Sequence, residues 1–209
     1  MRKPTSVAVL YARLAARRRF VLVVAGLSLF ASVLVDIATG PAFLPVANVA
    51  RSILGANNDR TVDIIVWTIR LPIAAMALVV GASLGLTGAV MQTILNNPLA
   101  SSYTLGVSAG AGFGAALVIV LGSVVPMPEQ FVIPASAFLF AGVACTGVWL
   151  VGSRRGATPE MLVLGGIAFL FLFQALLSLL QYIASQEALQ QIVFWLFGSL
   201  QRATWGKFS

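Results

Sequence analysis

One long stretch without a charged side chain constrains this sequence more than any other feature. Arg70 and Glu129 bracket 58 consecutive uncharged residues. As a single helix this stretch would be about 87 Å long, whereas about 20 residues cross the roughly 30 Å of bilayer hydrocarbon. The stretch must therefore turn. Residues 96–102, which read NNPLASS, supply the amide, proline and hydroxyl side chains typical of a turn.

The rest of the chain shares this apolar character. Its 209 residues are 59% hydrophobic and 9% charged, whereas a soluble domain carries about 25% charged residues. We therefore expect most of the surface to face lipid. The chain has no histidine, a single cysteine (Cys145) and no GxxxxGK[ST] motif, which excludes histidine dyads, zinc helices, an internal disulfide and a phosphate-binding loop. We expect no catalytic residue, no metal site, no cofactor and no enzymatic activity.

Five apolar stretches predict an all-α, polytopic bundle of transmembrane helices. The predicted helices cover residues 20–38, 71–95, 104–124, 131–152 and 161–183. The bundle thus extends over 20–183, after a basic cytoplasmic tail (1–19) and before an outer amphipathic segment (184–209) that leads towards a sixth span. The tail suits an interfacial helix on anionic lipid, and a short amphipathic helix is predicted near 46–54.

The distribution of basic residues predicts the orientation. With the N-terminus in the cytoplasm, eight Lys and Arg residues lie inside and five lie outside, as the positive-inside rule requires. A cleaved signal peptide is the alternative for residues 1–40, but the apolar stretch is long and no small-x-small cleavage site follows it. The net charge of +7 is not arranged as a stripe on a polar face, so we expect no nucleic-acid partner.

Glycine recurs every four residues on two predicted helices. Small residues at this spacing let helix backbones approach closely in lipid, which predicts that both helices are packed inside a bundle. These glycines are Gly81 and Gly85 on the second helix, and Gly106, Gly110 and Gly114 on the third.

Polar side chains lie within the fifth predicted helix. Gln174, Ser178 and Gln181 share one helix face, and burying them against lipid is unfavourable. They either line a watery path or form hydrogen bonds between helices, and the spacing does not separate these two possibilities. Gln92 and Asn97 lie at the inner end of the second helix, where turn chemistry explains them.

Ordered motifs resemble the FecCD-type ABC permeases, which import ferric siderophores, haem or cobalamin. The resemblance extends over residues 70–205. The motifs are RLP at 70–72, VGASLGLTG at 80–88, Gln92, NPLA at 97–100, LGVSAGA at 105–111, WLFGSL at 195–200 and Trp205.

The resemblance implies a transport subunit of a bacterial cytoplasmic membrane, and its five helices would be about half of those in a complete permease. It also implies several partners: cytoplasmic ATPase subunits, a periplasmic or lipoprotein substrate-binding protein, membrane lipid, and a second permease subunit in a homo- or heterodimer. The loop variant at 96–102 resembles that of ferric-siderophore permeases. The alternatives are haem or cobalamin as cargo, or a truncated fragment or membrane scaffold that does not transport.

The resemblance also implies roles for particular residues. Gln174, Ser178 and Gln181 would line the translocation path, and Gln92, Asn97 and Pro98 belong to the inner loop motif. Arg70 would dock the binding protein at the outer face. A second arginine often found in that family is replaced here by Ile73. Arg70 as an anchor at the membrane interface is the alternative.

Overall fold

The computed structural model describes residues 6–39, 44–56, 59–101, 103–122, 128–154, 156, 158–201 and 203–207. Within these ranges the chain is helical and has no strand, so the predicted all-α class is confirmed. The α-helices are α1 (Ser6–Ala38), α2 (Val46–Ile53), α3 (Arg60–Ile64), α4 (Leu71–Ile94), α5 (Val107–Leu121), α6 (Glu129–Arg154), α7 (Pro159–Ile183) and α8 (Gln186–Phe197).

Helix α1 continues from the basic segment into the first apolar span. It comprises 33 residues and is therefore about 50 Å long, well beyond the roughly 30 Å of hydrocarbon. Residues 6–19 contain neither glycine nor proline and are rich in Ala, Leu and Arg, which favour helix. These residues are continuous with the first span because nothing in the segment interrupts the helix, and their position on anionic lipid stays a prediction.

The second span begins earlier than predicted. Helix α3 starts after Asp59, whose side chain accepts a hydrogen bond from the Thr61 amide at 2.9 Å. A π-helical turn at Ile65–Arg70 then connects α3 directly to α4. Pro72 explains this wide turn: its ring would clash with the carbonyl four residues earlier in a regular α-helix. The resulting helical stretch, Arg60–Ile94, has 35 residues.

The third predicted span is a short helix. Helix α5 has 15 residues and is about 22 Å long, less than the hydrocarbon thickness. Gly106 (φ 73°) and Gly122 (φ 78°) flank it with left-handed backbone, which ends the helix at both sides. Four helical segments of the described chain, rather than the predicted five, are long and apolar enough to cross a membrane. Residues 123 and 124, the end of the predicted span 104–124, lie outside the described chain.

The later helices begin at residues that cap them. Thr158 accepts a hydrogen bond from the Met161 amide ahead of α7, and Pro159 occupies the first turn, where its missing N–H costs nothing. Ser185 accepts from the Ala188 amide at the start of α8. Helix α8, with 12 residues, is too short to span and lies in the predicted outer amphipathic segment.

The chain divides into two compact units. We call residues 1–79 and 200–209 the outer-cap unit, after its segments 44–70 and 200–207, which the sequence predicts to lie outside, and residues 80–199 the bundle unit. The core of the outer-cap unit contains five buried residues: Ile37, Val49, Val62, Val66 and Ala74. In the bundle unit, α5 packs against α6, α7 and α8. Helix α5, although too short to cross the hydrocarbon, is thus enclosed by its neighbours.

Candidate translocation site

Helix α7 presents the three polar side chains predicted to line a path. Positions 174, 178 and 181 fall within about 60° of one another around the helix. Gln174 and Ser178 are exposed and Gln181 is half-buried. The described part of the chain offers Gln174 and Ser178 no hydrogen-bond partner. Interhelical hydrogen bonding inside this bundle unit therefore does not account for these two side chains.

A different face of α7 holds the helix in the bundle. Phe173 and Leu180 are buried and lie about 100° around the helix from the polar face. The Phe173 ring lies 5.7 Å from that of Phe113 on α5 and 6.4 Å from that of Phe140 on α6, measured between centroids. Aromatic packing thus fixes the rotation of α7 and leaves its amide and hydroxyl face uncovered by α5 and α6.

The glycines of α5 lie against the backbone of α6. A Cβ on Gly110 would meet the Phe140 carbonyl oxygen at 2.7 Å, and one on Gly114 would meet that of Ser136 at 2.5 Å. The Ser136 hydroxyl also donates a hydrogen bond to the Gly114 carbonyl at 2.6 Å. These contacts leave no room for a larger residue at either glycine.

Gly106 makes a similar approach to α7. A Cβ at this position would lie 2.6 Å from the Leu170 amide nitrogen. Gly166 on α7 reciprocates, because its Cβ would lie 2.8 Å from the Leu105 Cα. The chain entering α5 is therefore seated directly on the backbone of α7.

Gly81 and Gly85 differ from these glycines. A Cβ added at either position meets nothing within 4 Å in the described chain, although their spacing is the same as on α5. Packing through this face of α4 stays a prediction.

The inner loop motif forms a compact turn. The Asn97 amide donates to the Gln92 carbonyl at 3.1 Å, and the Asn97 side chain accepts from the Leu99 amide at 2.9 Å. Pro98 and the Gln92 side chain are exposed. Nearby Leu95 and Ala100 are buried in one cluster with Leu105 and Val148, so the loop is anchored in the bundle unit.

Arg70 lies at the end of the π-helical turn. Its guanidinium donates a hydrogen bond to the Thr39 carbonyl, just past the end of α1, and the side chain is half-buried. This contact favours a structural role within the outer-cap unit. Docking of a binding protein through Arg70 stays a prediction.

A polar chain at the outer cap was not predicted from the sequence. Ser52, 2% exposed, donates to the Asp63 carboxylate at 2.5 Å. The Trp67 indole donates to the Ser52 carbonyl at 3.3 Å, and the Trp205 indole donates to the Trp67 carbonyl at 2.6 Å. The sequence has tryptophans and polar residues both before and after the bundle segment. It does not show that Trp67 pairs with Trp205, because the two residues are 138 positions apart.

A model of the FecCD transport family matches residues 27–209 of this chain. The chain belongs to that family. The resemblance read from the sequence motifs is thus confirmed.

Relatives that are named for different substrates match the chain. MJ0087 of Methanocaldococcus jannaschii, provisionally named an ABC transporter permease, is 37% identical over 86% of this chain and 53% of its own length. The cobalamin import permease BtuC of Halobacterium salinarum is 39% identical over 69% of this chain and 38% of its own. A probable siderophore transport permease of Bacillus subtilis, YfiZ, is 39% identical over 78% of this chain and 47% of its own.

The solved structure of an ABC transporter has a fold that matches this chain. It is an inward-facing ABC transporter provisionally assigned to the metal-chelate type, with a TM-score of 0.73 and 33% sequence identity. The match covers 90% of this chain and 56% of the other. The chain thus spans about half the length of the proteins it matches. Its apolar helices and its family indicate a multi-pass membrane protein.

Proposed function

We propose that this chain supplies the first half of a permease that imports a ferric siderophore, with ATP hydrolysed by a separate cytoplasmic subunit. The single observation that carries the proposal is the family match over residues 27–209. The uncovered polar face of α7 supports a path along this helix, since two of its side chains have no partner among the described residues. The other partners are a substrate-binding protein outside the cell and a second permease subunit.

The choice of an iron chelate rests on two observations. The loop at 96–102 resembles that of ferric-siderophore permeases, and YfiZ, which shares 39% identity, is named for siderophore transport. Cobalamin is the second candidate cargo because BtuC of H. salinarum shares the same identity. A lining of amide and hydroxyl groups suits either large polar ligand.

We also propose that the chain lies in the bacterial cytoplasmic membrane with its N-terminus inside. The basic side chains of α1 support this orientation, because Arg13, Arg17, Arg18 and Arg19 all lie on one side of its apolar stretch.

Uptake by reconstituted vesicles tests the cargo. The chain would be co-expressed with the polypeptides encoded beside it and reconstituted with the neighbouring ATPase and binding protein. We expect ATP-dependent uptake of a radioactive iron–hydroxamate chelate that exceeds uptake of cobalamin, haem and molybdate. If cobalamin or haem is taken up faster than the iron chelate, that ligand replaces the siderophore as the proposed cargo. Uptake of none of these ligands would contradict the transport proposal and favour a scaffold.

A further inference from the structure

A groove of about 940 Å³ lies within the outer-cap unit. One wall is formed by the last part of α1 and the other by the π-helical turn with the start of α4, and Leu200 and Gln201 complete the lining. Both walls belong to segments apolar enough to cross a membrane. The volume is in the range of small-molecule sites, roughly 300–1,000 Å³.

The groove is polar at one end and apolar along its length. Asp36 near the end of α1 and Arg70 at the end of the π-helical turn both line it. Thr39, one turn beyond Asp36, accepts the hydrogen bond from Arg70, so the two charged residues lie at the same end. Leu29 and Leu78 line it about 10–12 Å further along their helices. The groove therefore has the distribution of polar and apolar residues expected of a site for an amphiphile.

The two charges are available to a ligand. Within the described part of the chain, Asp36 forms no salt bridge or hydrogen bond, and Arg70 uses one N–H on the Thr39 carbonyl. A guanidinium has five N–H donors and suits a phosphate, whereas a carboxylate accepts from an ammonium group. One ligand that carries both an anion and a cation would satisfy both residues.

Ser32 extends the polar end by one helical turn. It lies four residues before Asp36 and lines the same groove, so the two side chains share a helix face. Its hydroxyl can donate to a carbonyl oxygen. Moving inward, the groove thus offers partners for a charged head, then for an ester, and then for an alkyl chain.

We propose that this groove binds a zwitterionic aminophospholipid, with its phosphate on Arg70, its primary ammonium on Asp36 and an acyl chain along α1 and α4. An anionic phospholipid such as phosphatidylglycerol fits less well because it carries no ammonium group to pair with Asp36. A protein helix over the groove would have to supply both an acid and a base or leave two charges buried without partners.

Headgroup selectivity of the 209-residue chain in detergent tests this site. Dioleoyl phosphatidylethanolamine, phosphatidylcholine and phosphatidylglycerol would each be titrated, and binding followed by the rise in unfolding temperature. We expect phosphatidylethanolamine to bind at least about tenfold tighter than phosphatidylcholine, whose quaternary ammonium has no N–H to donate. Equal affinity for the three lipids would overturn the proposal.

Single substitutions assign the selectivity to residues. Asp36→Asn should reduce the affinity for phosphatidylethanolamine to that for phosphatidylcholine, and Arg70→Gln should weaken both. Arg51→Gln is the matched control, because Arg51 is an exposed residue of α2 outside the groove. If Arg70→Gln does not fold, Asp36→Asn decides: retained preference for phosphatidylethanolamine in this variant overturns the site.

Cross-linking locates the acyl chain and separates a lipid from a covering helix. Phosphatidylethanolamine with a photoreactive acyl chain should label α1 at Leu29 or Val33 and α4 at Ala77 or Leu78. Phosphatidylcholine with the same chain gives the background labelling. Labelling at these positions no stronger than this background means that protein or bulk lipid occupies the groove, which contradicts the proposal.

Discussion

Gly114 and Ser136 hold two helices together at a distance that excludes a methyl group. The carbonyl of Ser136 lies 2.5 Å from where a Cβ on Gly114 would be, and the Ser136 hydroxyl donates to the Gly114 carbonyl at 2.6 Å. The Ser136 carbonyl thus leaves room only for glycine at position 114 of α5. The Ser136 hydroxyl, on α6, donates to the carbonyl of that same glycine. Lipid provides no hydrophobic force to bring helices together, so such direct contacts stabilise the bundle unit.

Replacement of Gly110 by leucine should prevent α5 from seating on α6. The new side chain would meet the Phe140 carbonyl, at 2.7 Å from its Cβ, and a backbone atom cannot move aside as a flexible side chain can. We expect a loss of at least about 1–3 kcal/mol, seen as a lower unfolding temperature and yield in detergent. Gly142→Leu on α6 is the control, since nothing lies within 4 Å of that position. Equal losses in both variants would contradict the close contact.

Gly106→Ala and Gly55→Ala together separate backbone strain from close approach. Both glycines have left-handed φ, 73° and 70°, but a Cβ on Gly106 would lie 2.6 Å from the Leu170 amide nitrogen, whereas one on Gly55 meets nothing within 4 Å. Gly55→Ala should cost about 1–2 kcal/mol for the left-handed backbone alone. Gly106→Ala should cost clearly more in the same denaturation assay. If the two alanine variants lose the same stability, the seating of Gly106 on α7 is wrong.

Trp205→Phe removes the indole N–H that reaches the Trp67 carbonyl but keeps an aromatic ring. We expect a stability loss of about 0.5–1.5 kcal/mol and faster amide hydrogen exchange around residues 203–207. Trp149→Phe serves as the control because Trp149 is 63% exposed on α6. Exchange that is unchanged in Trp205→Phe would show that this hydrogen bond does not hold the segment.

Gln174→Leu combined with Ser178→Ala tests the polar face of α7. Neither side chain packs against α5 or α6, so we expect the folded yield to be retained while chelate uptake falls several-fold. Thr146→Val on α6, an exposed polar residue away from this face, should leave uptake unchanged. Normal uptake in the double variant would remove these residues from the path.

Charge reversal at Arg70 tests docking of the binding protein. Arg70→Glu should weaken binding-protein affinity, with a larger effect at low ionic strength, where charges are less screened. Arg51→Glu, also on the outer cap, measures the general effect of adding negative charge. Affinity equal in both variants at every salt concentration leaves Arg70 with only its contact to Thr39 and its role in the groove.

Glycine spacing correctly predicted the close contacts of α5, whereas the close contacts predicted for α4 stay a prediction. Gly110 and Gly114 meet the α6 backbone, whereas Gly81 and Gly85, at the same spacing, meet nothing within 4 Å. Spacing identifies which residues share a face of a helix, but it carries no information about which element covers that face. The chain spans about half of its relatives, so spacing alone does not settle what packs there.

Helix ends were the least predictable part of the fold. Hydropathy continues through Gly106 and past Gly122, yet left-handed backbone at these glycines limits α5 to 15 residues. The last charge before the apolar stretch, Arg70, predicted a helix start at residue 71, but the helix begins earlier and a π-helical turn accommodates Pro72 within it. Both outcomes depend on backbone geometry that composition does not encode. The polar face of α7, in contrast, follows directly from residue spacing.

The wide turn at Ile65–Arg70 also sets the rotation of α3 about the start of α4. A π-helical turn holds one residue more than an α-helical turn, and each residue corresponds to about 100° of rotation. Deleting a single residue there would turn α3 by about that angle and swing Asp63 away from Ser52. The extra residue thus determines the azimuth of Asp63, on which its hydrogen bond with the Ser52 hydroxyl depends.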